Sequence, residues 1–214
     1  MKYLTAILSV GVCLFACGCA ERIRLFNGYN LDGWKHYTED PGTVTSQVWS
    51  VKDGILRCEG RPNSYLRTTR PFSNYKLTLE WRWPSKPTNS GILLHGSGPD
   101  RIWPDCYEAQ LRSGDAGDIV IIGHERSLTV DGKTFRPEES RYLRIPRQKK
   151  PSSEKKPPQW NRYEILCRGD TIALYVNGVL QNRGTNASVA EGFIALQAEG
   201  SPIEFRNIVL EMLP

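Results

Sequence analysis

An all-β domain, a sandwich or barrel of antiparallel strands, is the fold class that this 214-residue sequence predicts. Three observations predict it. Apolar residues almost nowhere recur at the three-to-four-residue spacing of a helix. Short runs rich in β-branched and aromatic residues recur instead, about a dozen in all. Turn-forming pairs punctuate them: Asp53-Gly54, Asp131-Gly132, Gly169-Asp170 and Asn177-Gly178.

The chain opens with MKYLTAILSVGVCLFACGCAE, one lysine and then an apolar run ending in small residues and cysteines. That is the pattern of an export signal of the lipoprotein type. Leu14 and Ala16 precede Cys17, and Gly18 precedes Cys19, so either cysteine is a candidate for the lipidated mature N-terminus. An ordinary cleaved signal peptide is the alternative. Residues 1–19 are therefore expected to be signal and residues 20–214 one domain, exported to the cell envelope and held to the membrane by lipid alone. No other segment is long and apolar enough to span a bilayer.

Cys58, Cys106 and Cys167 are widely spaced and form neither a disulfide framework nor a zinc pattern. Small buried hydrophobes are the expectation for Cys58 and Cys167. The net charge is +5, and much of the excess lies in RQKKPSSEKKPP, residues 147–158. A run so rich in Lys, Pro and Ser reads as a solvated loop, and an exported protein has little use for a nucleic-acid patch.

The stretch YKLTLEWRW alternates. Leu77, Leu79, Trp81 and Trp83 share one face and predict a core strand; Lys76, Thr78, Glu80 and Arg82 share the other. In CYEAQLR the core side falls to Tyr107, Ala109 and Leu111, which leaves Glu108 and Gln110 outward. WNRYEILCRGDTIALYVNGVLQNRG reads as three antiparallel strands joined by two tight turns. EGFIALQAEG and IEFRNIVLEML read as two more.

Taken in order, RLFNGYNLDGWK, WSVKDGILRCEG, YKLTLEWRW with NSGILLHG, YEAQLRSGDAGDIVIIG, WNRYEILCRGDTIALYVNG, EGFIALQAEG and IEFRNIVLEML resemble the 3-keto-disaccharide hydrolase domain family. The resemblance covers essentially the whole chain after the signal. It implies a concanavalin A-like jelly-roll sandwich of two antiparallel sheets. It also implies exported proteins of bacterial sugar metabolism and a carbohydrate substrate.

In such a sandwich the outer concave face is the usual place for sugars. Glu80, Arg82, Glu108 and Gln110 have the parity to face outward. A hairpin of residues 75–84 with 90–95, followed by 106–112, puts Glu80 and Glu108 roughly 10 Å apart, at about 4.8 Å per strand. Side chains can close that to the roughly 5–9.5 Å of paired glycosidase carboxylates. The reaction implied by the resemblance needs a base for the acidified C2 proton of a 3-keto sugar, a stabiliser for the enolate and an acid for the leaving group. Glu108 is the expected base, with Glu80 or His95 as acid or alternate base. Arg82, Asn89, Trp103, Gln110, Asp118, His124 and Gln197 are the expected substrate-binding set.

Several have a plainer reading. Glu80 and Arg82 fit a cross-strand ion-pair ladder, Trp103 a loop anchor, Asp118 a turn cap and His124 an exposed loop. A divalent metal is compatible with these side chains, but their spacing identifies none, so the cofactor stays open. The function expected is cleavage of 3-keto-glycosides by elimination and hydration. A non-catalytic, lectin-like envelope protein is the alternative, and a scaffold of an envelope complex a third.

Overall fold

A computed structural model describes residues 21–148 and 151–214. The candidate lipidation sites Cys17 and Cys19 lie outside the described residues. Seventeen strands are present among them, more than the dozen expected, because several edge strands have only three or four residues. They are β1 (Arg22–Arg24), β2 (Trp34–Thr38), β3 (Trp49–Lys52), β4 (Ile55–Cys58), β5 (Ser64–Thr68) and β6 (Tyr75–Arg82). Then follow β7 (Gly91–Ser97), β8 (Asp105–Gln110), β9 (Ile119–Ile122), β10 (Leu128–Val130), β11 (Lys133–Phe135) and β12 (Tyr142–Ile145). The last are β13 (Asn161–Arg168), β14 (Thr171–Val176), β15 (Val179–Gly184), β16 (Phe193–Ala198) and β17 (Ile203–Met212). One four-residue helix, α1 (Thr45–Val48), precedes β3.

Two antiparallel sheets make the sandwich. The eight-stranded sheet runs β15-β14-β13-β6-β17-β4-β3, with β1 also on β17; the seven-stranded sheet runs β12-β9-β8-β7-β16-β5-β2. The three-strand reading of residues 160–184 holds as β13, β14 and β15. The expected hairpin of 75–84 with 90–95 does not. β6 and β7 belong to different sheets. Pro84 and Pro87 fall between them, and proline cannot donate to a ladder, so the chain leaves the first sheet and crosses to the second.

The core fills the space between the sheets. From β6 come Tyr75, Leu77, Leu79 and Trp81, all buried; Ile92, Leu94, Tyr107, Ala109, Ile194 and Leu196 oppose them. Trp81 leans on Tyr163, with ring centroids 5.4 Å apart. Cys58 and Cys167 are small buried members of this core, as expected. The described part of the basic segment is a loop with Lys155 and Lys156 exposed, as expected, and it is also pinned. Ser153 Oγ donates to the Val176 carbonyl at 2.7 Å, Asn161 Oδ1 accepts from the Lys155 amide at 2.7 Å, and Glu154 is half-buried beneath Ala116.

On β6 burial follows strict alternation, whereas β7, β8 and β16 are buried on both faces. A second apolar cluster, including Tyr65, Leu93, Trp103, Cys106 and Phe193, covers the outer side of the seven-stranded sheet. Trp81→Ala should therefore cost about 3–5 kcal/mol. Lys76→Ala, which loses only an exposed pair with Glu211, should cost less than about 1 kcal/mol. Denaturant melts of the two variants compare these directly, and equal costs would contradict the assignment of the core face.

Candidate active site

The site follows from the register of the seven-stranded sheet. Glu108 on β8 lies opposite Val120 on one side and Leu93 on the other. One pair along, Gln110 faces Gly91, and Leu196 faces Ile92, which brings Gln197 beside Gly91. In the other direction Cys106 faces Ile122, and Ile122 faces Tyr142. The side chains of Glu108, Gln110, Val120, Ile122, Tyr142 and Gln197 alternate with the core set and point outward into a cleft of about 380 Å³. Asn89, Trp103, Gln110, Gln197 and Glu199 also line it.

Gly91 makes room for Glu108. A Cβ at that position would overlap the Glu108 carboxylate. Glu108 is only 4% exposed, and its Oε1 has no hydrogen-bond partner. Burial, assisted by the nearby charge of Glu199, pushes its carboxyl up to about 8. Burial also raises the Glu199 carboxyl, while Arg61 opposes that shift. Asn89 Nδ2 donates to Glu199 Oε2 at 2.8 Å, which leaves Asn89 Oδ1 buried and unpartnered; Gln197 Oε1 is unpartnered too. Gln110 is oriented the other way. Its Oε1 accepts from the amides of Leu111 at 2.9 Å and Arg112 at 2.8 Å, so its NH₂ is the free end.

Of the expected site residues, the structure brings together Glu108, Gln110, Asn89, Trp103 and Gln197. The others lie elsewhere. Glu80 is on the opposite sheet and accepts from Arg206 Nε and, at 3.2 Å, from Asn207 Nδ2. It lines a separate open groove of about 1010 Å³ on the outer face of the eight-stranded sheet, where its charge is already matched. Arg82 donates to Glu204 at 2.6 Å and stacks over Trp160, 4.6 Å from the ring centroid. This is the ion-pair ladder, and the supposed pairing of Glu80 with Glu108 fails because the chain changes sheets between them.

His95 has cleft parity in the sequence but not in space. The β7–β8 register slips between Leu94 and Ser97, and His95 adopts a positive φ of 52°. That bulge turns the imidazole inward, edge-on to Tyr75 and Tyr107. Its Nδ1 donates to the Val189 carbonyl at 3.2 Å, and burial lowers its pKa to about 4, so the ring is neutral and away from the cleft. Asp118 is fully buried; it pairs with Arg144 and accepts from the Arg147 amide at 2.7 Å. His124 is exposed on the turn after β9, near the Pro137 carbonyl. Neither lines the cleft.

Glu199, Tyr142, Val120 and Ile122 are the cleft residues that sequence reading missed. Glu199 had a signal: in LQAEG it keeps the parity of Gln197, two positions earlier. Tyr142 sits on a short edge strand whose pairing nothing local announces. Among the described residues no three His, Cys, Asp or Glu side chains converge as a metal site.

The cleft with its buried carboxylate lies on the outer face of a concanavalin A-like jelly roll of two antiparallel sheets. Similar folds include a structure from Parabacteroides distasonis provisionally named a glycosyl hydrolase, with a TM-score of 0.65 at 22% identity, covering 90% of this chain and 100% of that one. A Bacillus licheniformis β-glucanase matches with a TM-score of 0.57 at 13% identity over 92% of this chain and 100% of its own. Residues 21–211 match the model of the 3-keto-alpha-glucoside-1,2-lyase-like domain, and the chain belongs to that family. It is similar to a 3-keto-disaccharide hydrolase of Bacteroides thetaiotaomicron, 23% identical over 89% of this chain and 78% of the relative.

The raised Glu108 carboxyl has a consequence for stability. Between about 4.5, its ordinary value, and about 8, the folded chain holds a proton that the unfolded chain has lost. Stability from this group is therefore full below that window and drains away as pH rises through it, at up to about 1.4 kcal/mol per unit. His95 acts in the opposite sense and only in acid, between its ordinary 6.5 and about 4. Urea melts at pH 6.5 and pH 9 should show wild type losing stability across this interval and Glu108→Gln losing clearly less. Parallel losses would contradict a protonated, buried Glu108.

Proposed function

We propose that this protein cleaves 3-keto-glycosides by eliminating the C1 substituent and then adding water, with Glu108 as the proton-transfer group. The observation that carries the reading is the buried Glu108 carboxylate at the floor of the cleft, with one oxygen unpartnered over Gly91. A base whose pKa lies near the working pH exchanges protons most effectively, and burial supplies that tuning.

The steps balance. Glu108 takes the C2 proton, and the electron pair of that C–H bond becomes the enolate of the C3 ketone. The free NH₂ of Gln110 is the donor available to the enolate oxygen. The enolate collapses, the C1–O bond breaks, C1=C2 forms, and Glu108 passes the proton it took to the departing oxygen. Water then adds its oxygen at C1, and one of its protons passes through Glu108 to C2. The net change is hydrolysis of the glycosidic bond.

Glu108→Gln keeps the shape and removes the proton acceptor, so turnover of a 3-keto-glycoside should fall about 10²–10⁴-fold. For wild type, kcat/KM should climb as pH rises toward about 8 and level off above it, since the base acts deprotonated. Near-normal turnover by Glu108→Gln would remove it from the role. Equal turnover of the unoxidised parent glycoside would replace elimination with direct glycosidase chemistry. A carbohydrate-binding module of Bacillus subtilis shares the fold, with a TM-score of 0.59 at 14% identity. Sugar binding without turnover of either substrate would favour that non-catalytic role here.

The close approach of Gly91 gives an independent check on the position of the base. An added methyl must displace the buried Glu108 side chain from its Cγ outward, while the backbone here has no positive φ to strain an alanine. Gly91→Ala should therefore lower kcat by at least about tenfold in the folded variant. Unchanged kcat would mean that this placement of Glu108 does not matter.

A further inference from the structure

The cleft around Glu108 has two unlike flanks. Every buried acceptor in it without a partner falls on one side or at the centre: Asn89 Oδ1, Gln197 Oε1 and Glu108 Oε1. A sugar ring supplies hydroxyl donors for them. The other flank is apolar. Val120 and Ile122 offer no polar side-chain atom, and Trp103 and Tyr142 stand beside them. Both guanidinium NH₂ groups of Arg141 reach the Trp103 carbonyl at 3.4 Å, and Arg141 is itself paired with Asp105 at 2.6 Å. Trp103 is thus a fixed wall, whereas Tyr142 is 44% exposed at the rim.

We infer that the group leaving from C1 is a flat, apolar aglycone, an aryl or cycloalkyl group, rather than a second sugar. This rests on the site being the glycoside-cleaving cleft proposed above, and it names what occupies the second flank. A sugar placed there turns its hydroxyls toward Val120 and Ile122, which cannot replace the water those hydroxyls give up. A ring of six carbons loses nothing by the same burial and lies between two aromatic side chains. Scattered apolar residues on a sheet edge need no explanation. Here four of them sit together against a carboxylate whose opposite side is all amide and carboxylate.

The test is binding of unoxidised glucosides to the full chain by calorimetry, with phenyl, cyclohexyl and glucosyl groups at C1 in matched configuration. None carries the acidified C2 proton, so affinity is read apart from the elimination. The cyclohexyl compound separates apolar fit from the reactivity of a phenol. Phenyl and cyclohexyl glucosides should bind at least about tenfold more tightly than the disaccharide, the scale on which apolar pockets discriminate. Val120→Thr, nearly isosteric but hydroxylated, should remove most of that difference, weakening the phenyl and cyclohexyl glucosides and not the disaccharide. If Val120→Thr does not fold, Tyr142→Ser at the exposed rim should narrow the same ratio. A disaccharide bound as tightly as the phenyl and cyclohexyl glucosides, or a ratio untouched in the folded variants, overturns the inference. Tight aryl binding without turnover of any 3-keto sugar sinks the reaction and keeps the aglycone; turnover with preferred disaccharide binding does the reverse.

Discussion

Burial of the seven-stranded sheet on both faces is the constraint from which the site follows. Its inner face packs on the eight-stranded sheet. Its outer face is roofed by the segment from Asp100 to Trp103, and ion pairs hold that roof down. Asp100 takes Tyr65 Oη at 2.7 Å, Arg67 at 2.9 Å and Lys35 at 2.8 Å; these donors hold its carboxyl down to about 2 against the opposing effect of burial. Asp105 pairs with Arg101 and Arg141. With the roof in place, water has little access to β8, and a carboxylate left on that strand must sit in a poor dielectric. Glu108 is that carboxylate. A strand open to solvent on this face would carry an ordinary glutamate.

The two outer faces divide the charge between them. On the eight-stranded sheet, Arg82 with Glu204 and Arg206 with Glu80 close their own circuits, and both guanidinium groups stack on Trp160. Such pairs are satisfied and partly exposed, and they contribute little beyond keeping the face soluble. In the cleft the reverse holds. Acceptors are buried without donors, and no cationic side chain lines the walls. Unmet hydrogen-bonding capacity in a native protein is tolerated where a ligand meets it. That contrast, more than the size of either cavity, separates the candidate active site from the larger groove behind it.

Much of this was legible in the chain. Alternation along residues 75–83 gave the core face, because a strand buried on one side writes its burial into every second residue. The same parity put Glu108 and Gln110 outward, and the turn pairs delimited β13, β14 and β15. Parity also reached Gln197 and should have reached Glu199 two residues on. His95 was expected at the site and lies away from it, because a bulge inserts a residue and reverses the faces beyond it, and nothing in LLHG marks the slip.

The sequence by itself determined the all-β class, the core side of each long strand and the family resemblance, since these depend on local periodicity and on order along the chain. Only the tertiary structure decided which outward-facing residues share a surface. Glu80 and Glu108 have the same local parity and the same kind of neighbours; one faces an ion-paired exterior and the other a roofed cleft. The difference is the sheet to which each strand belongs. Sheet membership is set by pairing between strands far apart in sequence, such as β6 with β13 and β17 and β8 with β7 and β9, and no single strand carries a record of its partners.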